Sequence, residues 1–252
     1  MGLPPTATNA GVTARVDAIL GTFRSSRAVA AERFGPLSKA SYLVTFATLT
    51  ALFHVHLECL DSAERGWVAG RLDDVREELY AMFRRMTQPP RAEVRRTPGR
   101  FAGIACDLLT FDGERAEARA GREALRGRVV GLDDVLRSGT SPGTYLFCLT
   151  EQDELVLYAV PLSYGDMMTG AVAGEFTVKH TMLPEEGVAV VCAGEIHVAV
   201  SPAGAPGVIV TRASGHFQPR ASAELLTRDH LVRRYGMRGD AVCLLSHPGA
   251  VR

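Results

Sequence analysis

Thr144-Tyr145-Leu146-Phe147-Cys148-Leu149, Glu151-Gln152-Asp153-Glu154 and Leu155-Val156-Leu157-Tyr158-Ala159-Val160 together form the stretch that decides the fold. Two runs of aromatic and aliphatic residues flank a polar four-residue turn, which is the pattern of a β-hairpin. Ser141-Pro142-Gly143 sets off its first strand. Downstream, residues 175–180, 188–200, 207–212 and 241–245 read as further strands. Residues 221–235 read as a helix that closes at Gly236.

Upstream of the hairpin the period changes from two to three or four. Val16, Ile19, Leu20 and Phe23 recur at helix spacing until Pro36 ends the segment. An apolar helix follows over about residues 38–60. Asp61-Ser62-Ala63-Glu64 then resembles a capping box, with Asp61 accepting backbone N–H bonds. It opens a third helix whose apolar stripe is Trp67, Val68, Leu72, Val75, Leu79, Met82 and Phe83.

Gln88-Pro89-Pro90-Arg91 and Arg95-Arg96-Thr97-Pro98-Gly99 read as a linker. Residues 101–111 read as a strand, 113–128 as a polar helix and 132–136 as a short helix. The expected organisation is a disordered lead over 1–11, a helical region over 12–86 and a domain over 99–252. Helices first and a mostly antiparallel sheet with a C-terminal helix afterwards define an α+β fold.

Composition excludes several function classes. The 252 residues are 46% hydrophobic, enough for a real core, and their formal charge is zero. A neutral chain lacks the general phosphate attraction of a nucleic-acid binder, so no nucleic acid is expected as partner. Residues 42–60 are apolar, yet threonines, two histidines and Glu58 interrupt them; a buried helix fits better than a membrane span. Five scattered cysteines without a C-x-x-C pair, and an N-terminus without basic and apolar signal regions, point to reduced thiols and a cytoplasmic setting. The 28 basic residues include only two lysines, Lys39 and Lys179, as a GC-rich, bacterial coding background gives. A lysine kept against that background argues that an ammonium is wanted, and Lys179 adjoins His180.

The candidate site lies in two short runs with a third between them. Val178-Lys179-His180-Thr181 and Ala213-Ser214-Gly215-His216-Phe217-Gln218-Pro219 flank Cys192-Ala193-Gly194-Glu195-Ile196. His180 and His216 are acid–base candidates near neutral pH, and Glu195 could orient or deprotonate one of them. Lys179, Thr181, Ser214 and Gly215 are the ligand-contact candidates. Gly215 suggests a turn with positive φ or a close backbone approach to a ligand. The turn before the 221–235 helix favours an anionic ligand at the helix N-terminus. His54 and Glu58 share a helix face at i and i+4, which is half of a metal site; no metal is expected. Cys148 and Cys192 read as core residues, and residues 165–170 as a connector. No phosphate-loop, dinucleotide, nucleophile-elbow or zinc-protease motif occurs, so no cofactor is assigned.

The order of these runs resembles a domain shared by plant IQ-motif, calmodulin-binding proteins and by bacterial effector and toxin-like proteins. In that family a hairpin ending in tyrosine precedes a His-Ser-Ser segment, a small-residue strand and a Ser-Gly-His-Tyr-x-Pro turn. The matching positions are Tyr158, His180-Thr181, Ala193-Gly194-Glu195 and Ser214–Pro219, within about residues 144–236. Thr181-Met182 stands where the family has two serines, and Phe217 where it has tyrosine. No IQ motif precedes residue 140, so the resemblance does not imply calmodulin binding, and it implies no particular reaction.

Two functions fit these residues. One is an enzyme acting on a small anionic or nucleotide-like ligand by His/Glu acid–base chemistry. The other is a non-catalytic module that binds a metabolite or a protein. The apolar N-terminal helices offer a face to a second copy of the chain.

Overall fold

A computed structural model describes residues 7–86, 89–137 and 142–247. Three helices come first: α1 (Ala7–Phe34), α2 (Lys39–Glu58) and α3 (Ser62–Met86). The remainder is β1 (Val94–Phe101), β2 (Ile104–Phe111), α4 (Arg115–Ala124), β3 (Val129–Gly131), α5 (Leu132–Arg137), β4 (Gly143–Thr150) and β5 (Leu155–Tyr158). Next come α6 (Tyr164–Thr169), the two-residue strands β6 (Val172–Ala173) and β7 (Phe176–Thr177), β8 (Val190–Val200), β9 (Pro206–Val210), α7 (Ser222–Tyr235) and β10 (Val242–Leu244). The fold is α+β, with an eight-stranded sheet that is antiparallel except where β10 pairs with β9.

Local chemistry explains the helix ends. Ser38 caps α2 by accepting from the Ser41 amide, and Asp61 Oδ1 accepts from the amides of Ala63 and Glu64 at the start of α3. Gly236 closes α7 in the left-handed region at φ 64. By length and composition α2 could cross a membrane, but 67% of its most apolar window is buried inside the fold.

β8 organises the sheet. Along one edge it pairs with β4 for almost its full length. Along the other it meets β2 only at Val190, and β9 only from Ile196 onward. The sheet therefore forks between Val190 and Ile196. Side chains alternate across a strand, and the alternation sorts β8 from Cys192 onward, past the irregularity in its pairing with β4 that puts the neighbours Val191 and Cys192 into one cluster. Cys192, Ile196 and Val198 pack into the core under α7. On the opposite face Ala193 joins a cluster with Leu146, Met182 and Phe217, while Ala199 joins the helical layer of α1–α3. Glu195 and His197 lie between these two apolar clusters, in the seam. The helical layer is continuous with the sheet, because its core takes in Ala199, Ile209, Cys243 and Leu245.

Several expected boundaries move. Residues 7–11 belong to α1 rather than to a disordered lead, while residues 1–6 lie outside the described residues. Gln88 and Ser141 also lie outside them. The supposed linker Arg95–Gly99 is the body of β1, paired residue by residue with β2. Pro98 is tolerated there because β1 is an edge strand, and Leu108 covers Gly99 so closely that an added Cβ would sit 2.4 Å from its Cδ1. The expected strand over 175–180 shrinks to β7, after which His180–Met182 form a 3₁₀ turn. Of residues 165–170, the first five fall in α6, started by a Ser163–Asp166 capping box, and Gly170 ends it at positive φ.

Candidate functional site

The seam between the helical layer and the forked sheet holds a cavity of about 610 Å³. That volume lies in the range typical of small-molecule sites, about 300–1,000 Å³. Glu195 enters from β8, where the departure of β9 has left the strand edge to a loop. The Thr211 amide donates to the Glu195 carbonyl at 2.9 Å, and the Glu195 amide to Thr211 Oγ1 at 3.2 Å. The backbone is thus fixed while the carboxyl stays free. Glu195 is half-buried as a residue, yet its Oε2 is sealed from solvent and has no hydrogen-bond partner. Burial pushes its pKa up to about 7, against a weaker opposing pull from Lys39.

α2 supplies Lys39 and Tyr42 to the same cavity. Lys39 Nζ donates to the Met168 carbonyl at 2.8 Å, tying α6 to the rim. The Tyr42 hydroxyl is buried without a partner, and burial, aided by Glu195, holds its pKa well above the ordinary phenol value. Phe83 and Met86 from the end of α3 make an apolar wall. Arg96, Arg212 and Arg220 line the remainder. Arg96 Nη1 and Arg220 Nε share Asp107 at 3.9 and 3.2 Å. Arg212 lies over the Phe83 ring, 5.0 Å from its centre, and donates to Ser246 Oγ and the Pro219 carbonyl.

Of the residues expected from sequence, Glu195, Ser214 and Gly215 line this cavity. Ser214 is buried and its Oγ accepts from the Phe217 amide at 3.2 Å. Gly215 does not adopt positive φ; the left-handed residue of the turn is Gln218, at φ 46. An added Cβ at Gly215 would meet open space. Gln218 instead clamps the turn to the chain before β1, with Oε1 accepting from the Arg91 amide and Nε2 donating to the Pro89 carbonyl.

The other four expected residues lie elsewhere. His180 is buried, and its Nε2 meets the Gly194 carbonyl at 2.9 Å, so this nitrogen carries the proton and donates. Burial lowers its pKa to about 4. The ring is committed to structure and does not line the cavity. Lys179 Nζ is held by Glu114 at 2.8 Å and Glu117 at 2.7 Å. Burial works against its charge, and the two glutamates outweigh burial, so its pKa is raised. His216 Nε2 faces the same Glu114 at 3.8 Å and packs edge-on against Phe111. Its pKa is lowered, by burial first and then by Arg91. Thr181 faces a second cavity of about 380 Å³, where Arg95, Arg115 and Arg122 are balanced by Asp112, Glu185 and Glu186.

Sequence reasoning missed Lys39, Tyr42, Arg96, Arg212 and Arg220. The rarity of lysine was a usable signal for Lys39, since it applied to both lysines equally. Among the described residues no group of three or more His, Cys, Asp or Glu could hold a metal ion. His54 does not pair with Glu58 at a metal; its Nε2 meets His197 Nε2 at 3.2 Å, and His197 Nδ1 meets Thr144 Oγ1 at 3.0 Å.

In comparisons with known proteins, no family model matches the chain, no curated protein matches it and no solved structure matches it.

Proposed function

We propose that the protein takes a small anionic ligand into the seam cavity and that Glu195 exchanges a proton with it. One observation carries this reading. A carboxyl with pKa near 7 and no hydrogen-bond partner faces a cavity whose other charged side chains are all cationic. Buried polar atoms in folded proteins are nearly always satisfied, and a perturbed acid in a cleft is a functional-site signal. Tyr42 and Arg96 add a buried unpartnered atom each to the same cavity. The acid–base role falls on Glu195 alone, because His180 serves the Gly194 carbonyl and His216 stands against Glu114.

A second reading is retention of the ligand without turnover. It is favoured by the withdrawal of both histidines, which leaves Glu195 as the cavity's one group titrating near neutral pH among the described residues. The resemblance to the effector-like domain family is compatible with either. So is a neutral chain in the cytoplasm of a bacterium, without nucleic-acid or membrane partners. A second copy docking on the N-terminal helices would use the exposed Val29, Phe34 and Leu37 near the α1–α2 turn.

The test is calorimetry and thermal shift with inorganic phosphate, sulfate and small carboxylates at pH 6 and pH 8, on wild type and Glu195→Gln. Binding at both pH values, with a pH dependence that the variant lacks, supports the proposal. Binding that is unaffected by Glu195→Gln removes Glu195 from the site. Mass spectrometry of bound compounds after incubation separates turnover from retention.

A further inference from the structure

We infer that the occupant is a phosphomonoester on a flat aromatic body with a hydrogen-bonding edge, of nucleoside monophosphate size. This deepens the anionic-ligand reading and rests on it. The cavity distributes its charge unevenly.

One part of the lining is cationic by a limited amount. Arg96 and Arg220 share the single carboxylate of Asp107, so the trio carries about one net positive charge. Arg220 and Ala221 also place the N-terminus of α7 on the cavity wall, and no side chain caps that helix. A helix end contributes roughly half a positive charge. The buried Arg96 Nη1 has no hydrogen-bond partner, so a donor already stands there for an anion. Roughly one and a half positive charges suit one phosphate. A di- or triphosphate would bring more negative charge than the Arg96–Arg220–Asp107 trio and this helix end offset. Arg212 offers the anion less, because its Nε and Nη1 already donate to Ser246 Oγ and the Pro219 carbonyl.

A second part of the lining is polar and carries one cation, Lys39, whose ammonium is tied to the Met168 carbonyl beside the Glu195 carboxyl. Tyr42 is 7% exposed and its hydroxyl has no partner, and the Glu195 carboxyl is likewise unpartnered. In its neutral form a carboxyl presents a donor and an acceptor side by side, which matches the amide or amidine edge of a heterocycle. Phe83, Met86 and Pro90 supply the apolar surface a flat ring needs. The 380 Å³ cavity lacks this division, since its arginines are offset by as many carboxylates.

Isothermal titration calorimetry with inorganic phosphate, glycerol phosphate, the four common nucleosides and their monophosphates tests the inference. At least one nucleoside monophosphate should bind ten-fold or more tightly than inorganic phosphate, glycerol phosphate and its own nucleoside. Arg220→Ala, at an exposed side chain, should remove most of the advantage over the nucleoside. Tyr42→Phe should remove most of the advantage over glycerol phosphate and leave inorganic phosphate binding unchanged. If glycerol phosphate binds as tightly as every nucleotide, the aromatic body is wrong while the anionic site stands. If inorganic phosphate and nucleotides all fail to bind to folded wild type, the anionic reading and this inference fall together.

Discussion

The His180 imidazole donates to the Gly194 carbonyl at 2.9 Å, and the next residue along the strand is Glu195. On the other side of Gly194 the backbone of residues 211–213 approaches so closely that an added Cβ would lie 2.2 Å from the Thr211 carbonyl oxygen. The three runs singled out in the sequence are therefore one structural unit. Histidine and glycine hold the strand, and the neighbouring carboxyl faces the cavity.

Gly194→Ala tests the close approach directly. The obstructing atoms are backbone, so they cannot rotate away, and strain of this kind costs several kcal/mol. The variant should unfold at a Tm at least 10 °C below wild type or fail to accumulate as folded protein. A variant with wild-type Tm would show that the two segments can separate freely.

Replacing the two histidines should separate structure from surface. His180→Ala leaves the buried Gly194 carbonyl without its donor and opens space in the core, a loss of about 2–4 kcal/mol. His216→Ala removes a half-buried ring that makes no hydrogen bond at 3.8 Å from Glu114, and Glu114 keeps Lys179, so its loss should stay within about 1 kcal/mol. Urea titration of both variants measures the difference.

Glu195→Gln should stabilise the protein in alkaline buffer. The folded pKa, about 7, lies above the ordinary value of 4.5. The stability tied to protonation is fully present below pH 4.5 and is lost as pH rises through about 7. At pH 8 the ionised group therefore costs on the order of 3 kcal/mol, which the amide avoids. Tm measured at pH 8 should rise in the variant, and the gap should close at pH 4.5. A Tm gain independent of pH would contradict the assignment.

Acid should act on His180 and His197 in the opposite sense. Burial lowers both to about 4, so the unfolded chain takes up protons first, and stability falls as pH drops from about 6.5 to 4. Glu195 and Glu224, both raised to about 7 by burial, oppose this over part of the same window. His197→Gln isolates one contribution: its urea midpoint should fall less steeply with acid than that of wild type.

Much of the sheet was legible because the near-continuous apolar runs of β4, β5 and β8 reflect burial on both faces. The helical segments were equally legible through spacing and the Asp61 cap. β1 was not, because an edge strand can carry Pro98 and a row of arginines, which is also what a linker carries. That misreading hid Arg96. The site was legible in part for the same kind of reason. Glu195, Ser214 and Gly215 lie in the C-terminal runs that drew attention, whereas Tyr42 and Phe83 are apolar-face residues of long helices with no local mark of function. His180 shows the converse: a histidine beside a strand reads as chemistry until its acceptor, a backbone carbonyl, is seen.

The cavity is assembled from both portions of the chain, with Lys39, Tyr42, Phe83 and Met86 on the helices and Glu195 and Ser214 on the sheet side. The Glu195 carboxyl and most of the surfaces that shape the cavity around it are thus encoded by separate stretches. Recombination that kept the sheet and exchanged the helices would preserve the acid while altering what it meets, so new selectivity could evolve without rebuilding the strand that carries Glu195.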